Sequence, residues 1–142
     1  MMRPQFIGLD PGKHTGFAVW ESASRSFREV ATLPIHRAME RVLALSQEGP
    51  VVVVFEDARQ RTWFPKERSN AEYRGHLMGA GAAKRDAQIW EDFLTDKGIP
   101  FEARKPQAGA TKWNADYWAK VTGWTGRTSE HARDAALLVF QR

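Results

Sequence analysis

The chain has 142 residues, enough for one domain with a hydrophobic core and too few for two comfortable ones. Hydrophobic residues make up 42% and charged residues 27%, as in ordinary globular proteins. No apolar run approaches the roughly 20 residues that span a membrane, and the N-terminus lacks a signal-peptide pattern. We therefore expect a single domain over residues 1–142 in the cytoplasm, with no membrane partner.

Cysteine is absent, which excludes disulfides and thiolate-bound zinc or iron–sulfur sites. Any metal must be held by oxygen and imidazole. The net charge of +4 and the isoelectric point near 9.7 favour a polyanionic partner. The alternative, a basic protein without such a partner, stays open on composition alone.

The predicted elements begin with strands and then alternate with helices. Hydrophobic patterning predicts strands over about 5–10, 15–21 and 26–32, then a helix over 35–46. A continuous β-branched run over 51–55 is typical of a strand that is covered on both faces.

The second half of the chain is predicted to be mostly helical. Ser69-Asn-Ala-Glu72 matches a capping box that starts a long helix to about 96. A strand over 99–104, a helix over 111–121 and a last helix from 128 or 129 to the C-terminus follow. This order predicts an α/β fold with a mixed sheet. A stripe of small residues in the long helix, Gly75, Gly79 and Ala82, indicates a close approach, for which packing on the sheet is the first explanation and a subunit or DNA contact the second.

Asp10 follows the first apolar strand and precedes a Pro-Gly turn, so the hairpin places a carboxylate beside the core. Burying an unpaired charge is costly, and a metal ion would offset that cost. The alternative is a turn-forming aspartate.

Further acids and a histidine lie in two distant segments. Glu56 ends the buried strand, whereas Asp57 faces the other side of it and is expected to have a structural role. His131 and Asp134 are three residues apart and share one side of the last helix. Each could instead be an ordinary strand-end or solvated helix position. Together they could clamp two divalent cations about 3.5–4 Å apart and hydrolyse a phosphodiester; Mg²⁺ suits the oxygen ligands and Mn²⁺ tolerates the imidazole.

Three motifs in this order resemble the RuvC family of Holliday junction resolvases, in the RNase H-like superfamily. They are Asp10-Pro-Gly with Thr15-Gly16, Val54-Phe-Glu56, and His131-x-x-Asp134-Ala-Ala. The resemblance spans nearly the whole chain. It implies a five-stranded RNase H-like sheet and a Mg²⁺-dependent homodimeric endonuclease that cuts branched DNA.

Carried over to this sequence, the resemblance makes Asp10, Glu56, His131 and Asp134 the catalytic, metal-binding set. It also implies a phosphate contact for Lys112. The turn after Asp10 is shorter than in cellular members, and Trp124-Thr-Gly-Arg-Thr is interpreted as a feature of viral members, for which the location would be the host cytoplasm.

The segment 59–85 contains two acids, two adjacent aromatic residues and seven basic residues, and it is predicted to be a DNA-contacting loop and helix start. The seven are Arg59, Arg61, Lys66, Arg68, Arg74, Lys84 and Arg85. Arginines and lysines can engage phosphates, and an aromatic ring can stack on or wedge between bases. The alternative is an aromatic residue packed under a solvated loop. The residues predicted to contact DNA are Arg59, Arg61, Trp63, Phe64, Lys66, Arg68 and Lys112.

Other functions remain open at this stage. An RNase H-like nuclease that processes RNA would use the same acidic set. A phosphotransferase of the actin and hexokinase type also opens with Asp-x-Gly, but needs two such lobes, which argues against it at this length. A module that binds DNA junctions without cutting them is the third alternative.

Overall fold

A computed structural model describes residues 2–62, 69–106 and 113–142 of the chain. They form a five-stranded mixed sheet flanked by helices, which confirms the predicted α/β architecture. The elements are β1 (Gln5–Asp10), β2 (His14–Glu21), β3 (Ser26–Pro34), α1 (Ile35–Glu48), β4 (Val51–Glu56), a 3₁₀ turn (Ala58–Gln60), α2 (Asn70–Asp96), β5 (Phe101–Arg104), α3 (Ala115–Thr122) and α4 (Glu130–Leu137).

The sheet has the strand order β3-β2-β1-β4-β5. β1, β2 and β3 form an antiparallel meander, whereas β4 and β5 run parallel to β1 and to each other. The last pair on the β1–β4 ladder is Leu9 with Phe55. Asp10 and Glu56, one residue further on, therefore end two neighbouring parallel strands at the same edge of the sheet.

One face of the sheet holds the larger hydrophobic core. Leu9, Phe17 and Phe55 point to this face and are completely buried. They contact the buried stripes of α1 and α2, which include Val42 and Trp90. The β-branched run of β4 is thus explained, because the strand lies in the interior of the sheet with helices on both sides.

The other face of the sheet is covered by α4, which approaches the strands unusually closely. A Cβ at Gly8 would lie 2.1 Å from the carbonyl oxygen of Ala135, and one at Gly16 would lie 2.0 Å from that of His131. Only glycine leaves room for this contact. Two strand glycines therefore set the distance between α4 and the β1–β2 hairpin.

Several element ends differ from the sequence prediction. β5 begins at Phe101 because the chain first makes a turn, with Gly98 at a φ of 65°. α3 begins at Ala115, where the side chain of Asn114 accepts a hydrogen bond from the amide of Tyr117 at 2.8 Å. α4 ends at Leu137, short of the C-terminus.

The expectation that Gly75 and Gly79 pack on the sheet is wrong. A Cβ at either position would meet nothing within 4 Å in the part of the chain that is described. The buried residues of α2 are Ala87, Trp90 and Leu94, all in its second half. The first half, which the structure describes throughout, contributes no buried residue, and its Gly79 lines a small pocket with Ala58 and Arg61 of the segment after β4.

Among the helices formed by the described residues, none is long and apolar enough to cross a membrane.

Candidate metal and catalytic site

Asp10 and His131 are in direct contact although 121 residues separate them in sequence. The Nδ1 atom of His131 lies 2.9 Å from Oδ2 of Asp10. The Asp10 side chain is 20% exposed and the imidazole 60% exposed, so the pair lies at the rim of the sheet. An ionised carboxylate can only accept a hydrogen bond, so with Asp10 ionised the Nδ1–H of His131 is the donor of this contact.

The turn after Asp10 is tied down by a buried threonine. Thr15 is completely buried, and its hydroxyl donates to the carbonyl oxygen of Gly12 at 2.7 Å. This bond closes the short connection between β1 and β2. The backbone of Asp10, at the end of β1, is therefore held in a fixed position.

Glu56 lies beside Asp10 by register. Neighbouring strands lie about 4.8 Å apart, and paired residues of parallel strands point to the same face. Val54, two residues earlier on β4, contacts Val139 on the α4 side of the sheet. By alternation the Glu56 side chain faces that same side, where α4 carries His131 and Asp134.

α4 is anchored at its start, which fixes where His131 and Asp134 stand. The Ser129 hydroxyl caps the helix by accepting from the amide of Ala132 at 3.0 Å, and it is also hydrogen-bonded to Thr32 on β3. Arg133 donates to the carbonyl oxygens of Trp113 and Thr128 at 2.9 and 2.7 Å. The helix start is thereby bound to both β3 and the loop before α3.

The donor types of the four residues suit a hard divalent cation, since they comprise three carboxylates and an imidazole. Their present side-chain conformations do not gather them around one point. Within residues 2–62, 69–106 and 113–142, no three His, Asp or Glu side chains are arranged to hold a metal ion. The described structure thus brings Asp10 and His131 into contact, and sets Glu56 and Asp134 on the same side of the sheet.

Behind Glu56 lies a charged network that the sequence did not predict in detail. Asp57 is 3% exposed, and its carboxylate accepts from Nε and Nη2 of Arg59 at 2.8 and 3.0 Å. Nη1 of Arg59 donates to Gln88 and Glu91 of α2 at 2.7 and 2.8 Å. We call the set of Asp57, Arg59, Gln60, Gln88 and Glu91 the Arg59 clamp. The sequence feature that indicates this network is Asp57, an aspartate that can cap a helical turn and lies two positions before an arginine.

The Arg59 clamp also reaches β5. Gln60 donates to Oδ2 of Asp57 and to the carbonyl oxygen of Ala103, both at 3.2 Å, and the amide of Asp57 donates to the carbonyl oxygen of Arg104 at 2.7 Å. Asp57 is therefore buried and hydrogen-bonded within the clamp, which agrees with a structural or supporting role behind Glu56. The clamp joins the end of β4 to both α2 and β5.

Ionisation within the Arg59 clamp favours the charged forms. Burial works to raise the pKa of Asp57, but hydrogen bonds from Arg59 and Gln60 outweigh it and lower that pKa. The hydrogen bond from Arg59 likewise lowers the pKa of Glu91. In return, hydrogen bonds to Asp57 and Glu91 raise the pKa of the Arg59 guanidinium.

The predicted DNA-contacting residues fall into two groups. Four of the five N–H donors of Arg59 serve the clamp, which competes with the predicted phosphate contact. Arg61 is half-buried and lines a small pocket with residues of the 3₁₀ turn and α2. The remaining predictions lie outside the described residues: Trp63, Phe64, Lys66, Arg68 and Lys112.

Four tryptophans lie in the hydrophobic core or pack against it. Trp90 and Trp118 are buried, and Trp113 and Trp124 contact the cluster around Trp118. These rings support the sheet on both faces and take no part in the site.

The sequence matches no protein-family model, and no curated protein is significantly similar to it. The case for a function therefore depends on the site itself.

Proposed function

We propose that this protein is a metal-dependent endonuclease with an RNase H-like fold that cuts branched DNA, including Holliday junctions. The observation that carries the proposal is the side-by-side end of β1 and β4, with Asp10 and Glu56 on the side of the sheet covered by α4. The contact between Asp10 and His131 supports it, since it draws the last helix to the same rim. The strand order with an antiparallel meander and two parallel strands is compatible with that fold.

In this proposal Asp10, Glu56 and Asp134 hold two Mg²⁺ ions, for which Mn²⁺ can substitute, and His131 is either a further ligand or a proton carrier. When bound, such ions activate water and stabilise the leaving oxygen of a phosphodiester. The protein's contribution is to fix the acids. Thr15 holds the turn behind Asp10, and the Arg59 clamp holds the backbone behind Glu56.

His131 has a second consequence for Asp10. The imidazole is hydrogen-bonded to Oδ2 of Asp10 and its side chain is 60% exposed, so in this proposal it orients the carboxylate and exchanges a proton with solvent or substrate. Cutting two opposed strands of a junction requires two such sites. We therefore propose that the active form is a homodimer.

The test is a cleavage assay on a four-way DNA junction, a linear duplex and an RNA–DNA hybrid, each with Mg²⁺, Mn²⁺ or EDTA. Paired nicks in the junction alone, dependent on metal and lost in Asp10→Asn, are expected. Asp96→Asn is the matched control, because Asp96 is 74% exposed at the far end of α2. Cleavage of the hybrid without cleavage of the junction would contradict the proposal and favour an RNase.

A further inference from the structure

Helix α2 is divided into two halves of opposite charge. From Tyr73 to Arg85 it contains Arg74, Lys84 and Arg85 and no acidic residue. From Asp86 to Asp96 it contains four acidic residues and no basic one. The first turn of the helix also holds Glu72. The buried residues of α2, all of whose positions are described, lie in the acidic half, and none lies in the basic half.

The basic half also exposes large apolar side chains. Tyr73, Leu77 and Met78 are 50%, 54% and 77% exposed. At about 100° per residue, one third of the helix circumference holds a set that we call the α2 outer face. Its members are Arg74, Leu77, Met78, Gly81, Lys84 and Arg85.

We propose that the α2 outer face is a docking surface for the sugar–phosphate backbone of DNA. Arg74, Lys84 and Arg85 complement a polyanion, and of these Arg85 also lies 3.9 Å from the carboxylate of Asp86. A Cβ at Gly81 would meet nothing within 4 Å among the described residues, so a DNA strand can approach the helix closely there. Leu77 and Met78 offer apolar contact to the sugars. The choice of DNA rather than another polyanion rests on the proposed nuclease function.

A second copy of this chain is the other partner to consider for an exposed apolar helix. A two-fold interface brings the same surface of both subunits together, so it must be self-complementary. The α2 outer face is not, because two copies of it would set cations against cations and like charges across an interface are unfavourable. Charge therefore favours DNA over a second subunit at this face.

The deciding experiment measures binding of the full chain to a four-way junction in EDTA, where no cleavage is expected, between 50 and 200 mM salt. Arg74→Gln with Lys84→Gln removes two cations from the face. Arg37→Gln with Lys97→Gln is the matched control, since it removes one arginine and one lysine that are 64% and 44% exposed elsewhere. Circular dichroism and Tm check that both doubles fold.

Loss of two phosphate contacts is expected to reduce the slope of log K against log salt by about 1.8, at about 0.9 per phosphate. Affinity at the lowest salt should fall about tenfold or more, while the control double keeps both values. Equal losses in the two doubles, or none in either, would overturn the proposal.

Three further outcomes distinguish this proposal from the nuclease proposal and from a subunit interface. If the wild type nicks junctions and the Arg74/Lys84 double binds them normally, the docking surface is wrong and the nuclease stands. If the wild type binds junctions through this face and cuts nothing, the docking surface stands and the nuclease proposal is wrong. If Leu77→Gln with Met78→Gln turns a dimer into a monomer and leaves the salt slope unchanged, the face is a subunit interface and the proposal falls.

Discussion

Asp10 at the end of β1 and His131 at the start of α4 form a hydrogen-bonded pair with 2.9 Å between Oδ2 and Nδ1. The pair joins the first strand of the sheet to the last helix. It depends on the close approach of α4 to Gly8 and Gly16, because a wider spacing would separate the two side chains.

Removing the imidazole should affect activity more than folding. We expect His131→Ala to keep Tm within about 4 °C, because an ion pair whose imidazole is 60% exposed contributes roughly 1 kcal/mol or less. Metal-dependent nicking should fall about 10²-fold or more, as for the loss of a general acid or base. Nicking rates and thermal melts on the same preparations decide it, with His36→Ala, an exposed histidine on α1, as the control.

Replacing glycine by alanine should have opposite effects on the unfolding free energy at Gly8 in β1 and at Gly75 in α2. Gly8→Ala places a methyl group 2.1 Å from the Ala135 carbonyl oxygen, so α4 must shift, and we expect a loss of about 3 kcal/mol in unfolding free energy. Gly75→Ala meets nothing within 4 Å in the described chain and gains up to about 1 kcal/mol of helix propensity. Urea unfolding measures both. A stable Gly8→Ala protein would contradict the close packing of α4.

The Arg59 clamp should control stability in acid. A lowered pKa of Asp57 means that its contribution is present above the unfolded-state pKa of about 4 and is lost as pH falls through the folded pKa. Asp57→Asn should cost about 2–4 kcal/mol at neutral pH, because it leaves Arg59 without its main partner. The difference from wild type should shrink below about pH 4. Urea unfolding at several pH values tests this, with Asp96→Asn, which removes a 74% exposed carboxylate outside the clamp, as the control.

Metal should stabilise the folded protein if the acids bind it. Free Mg²⁺ at 100 times its Kd adds about 2.7 kcal/mol to the unfolding free energy. We expect Mg²⁺ or Mn²⁺ to raise Tm in the wild type, and EDTA to abolish the rise. In Glu56→Gln the rise should be much smaller. A rise of equal size in the variant would remove Glu56 from the ligand set.

The architecture followed from sequence patterning where the pattern was local. The β-branched run of β4 and the capping serine of α2 predicted their elements correctly, because burial and capping act over a few residues. Element ends were less well predicted. α4 stops at Leu137 although apolar residues continue along the chain. The indole N–H of Trp20 donates to the carbonyl oxygen of Arg142, and this hydrogen bond fixes the position of the chain end.

The sequence by itself determined which residue types are available: acids at two strand ends, a His and an Asp on the last helix, no cysteine and a basic surplus. Only the tertiary structure decided which of them meet. Strand order set Glu56 beside Asp10, strand glycines let α4 bring His131 to Asp10, and long-range hydrogen bonds drew Arg59 into a clamp. These are contacts between distant segments, and their geometry depends on how whole elements pack, which no local pattern encodes.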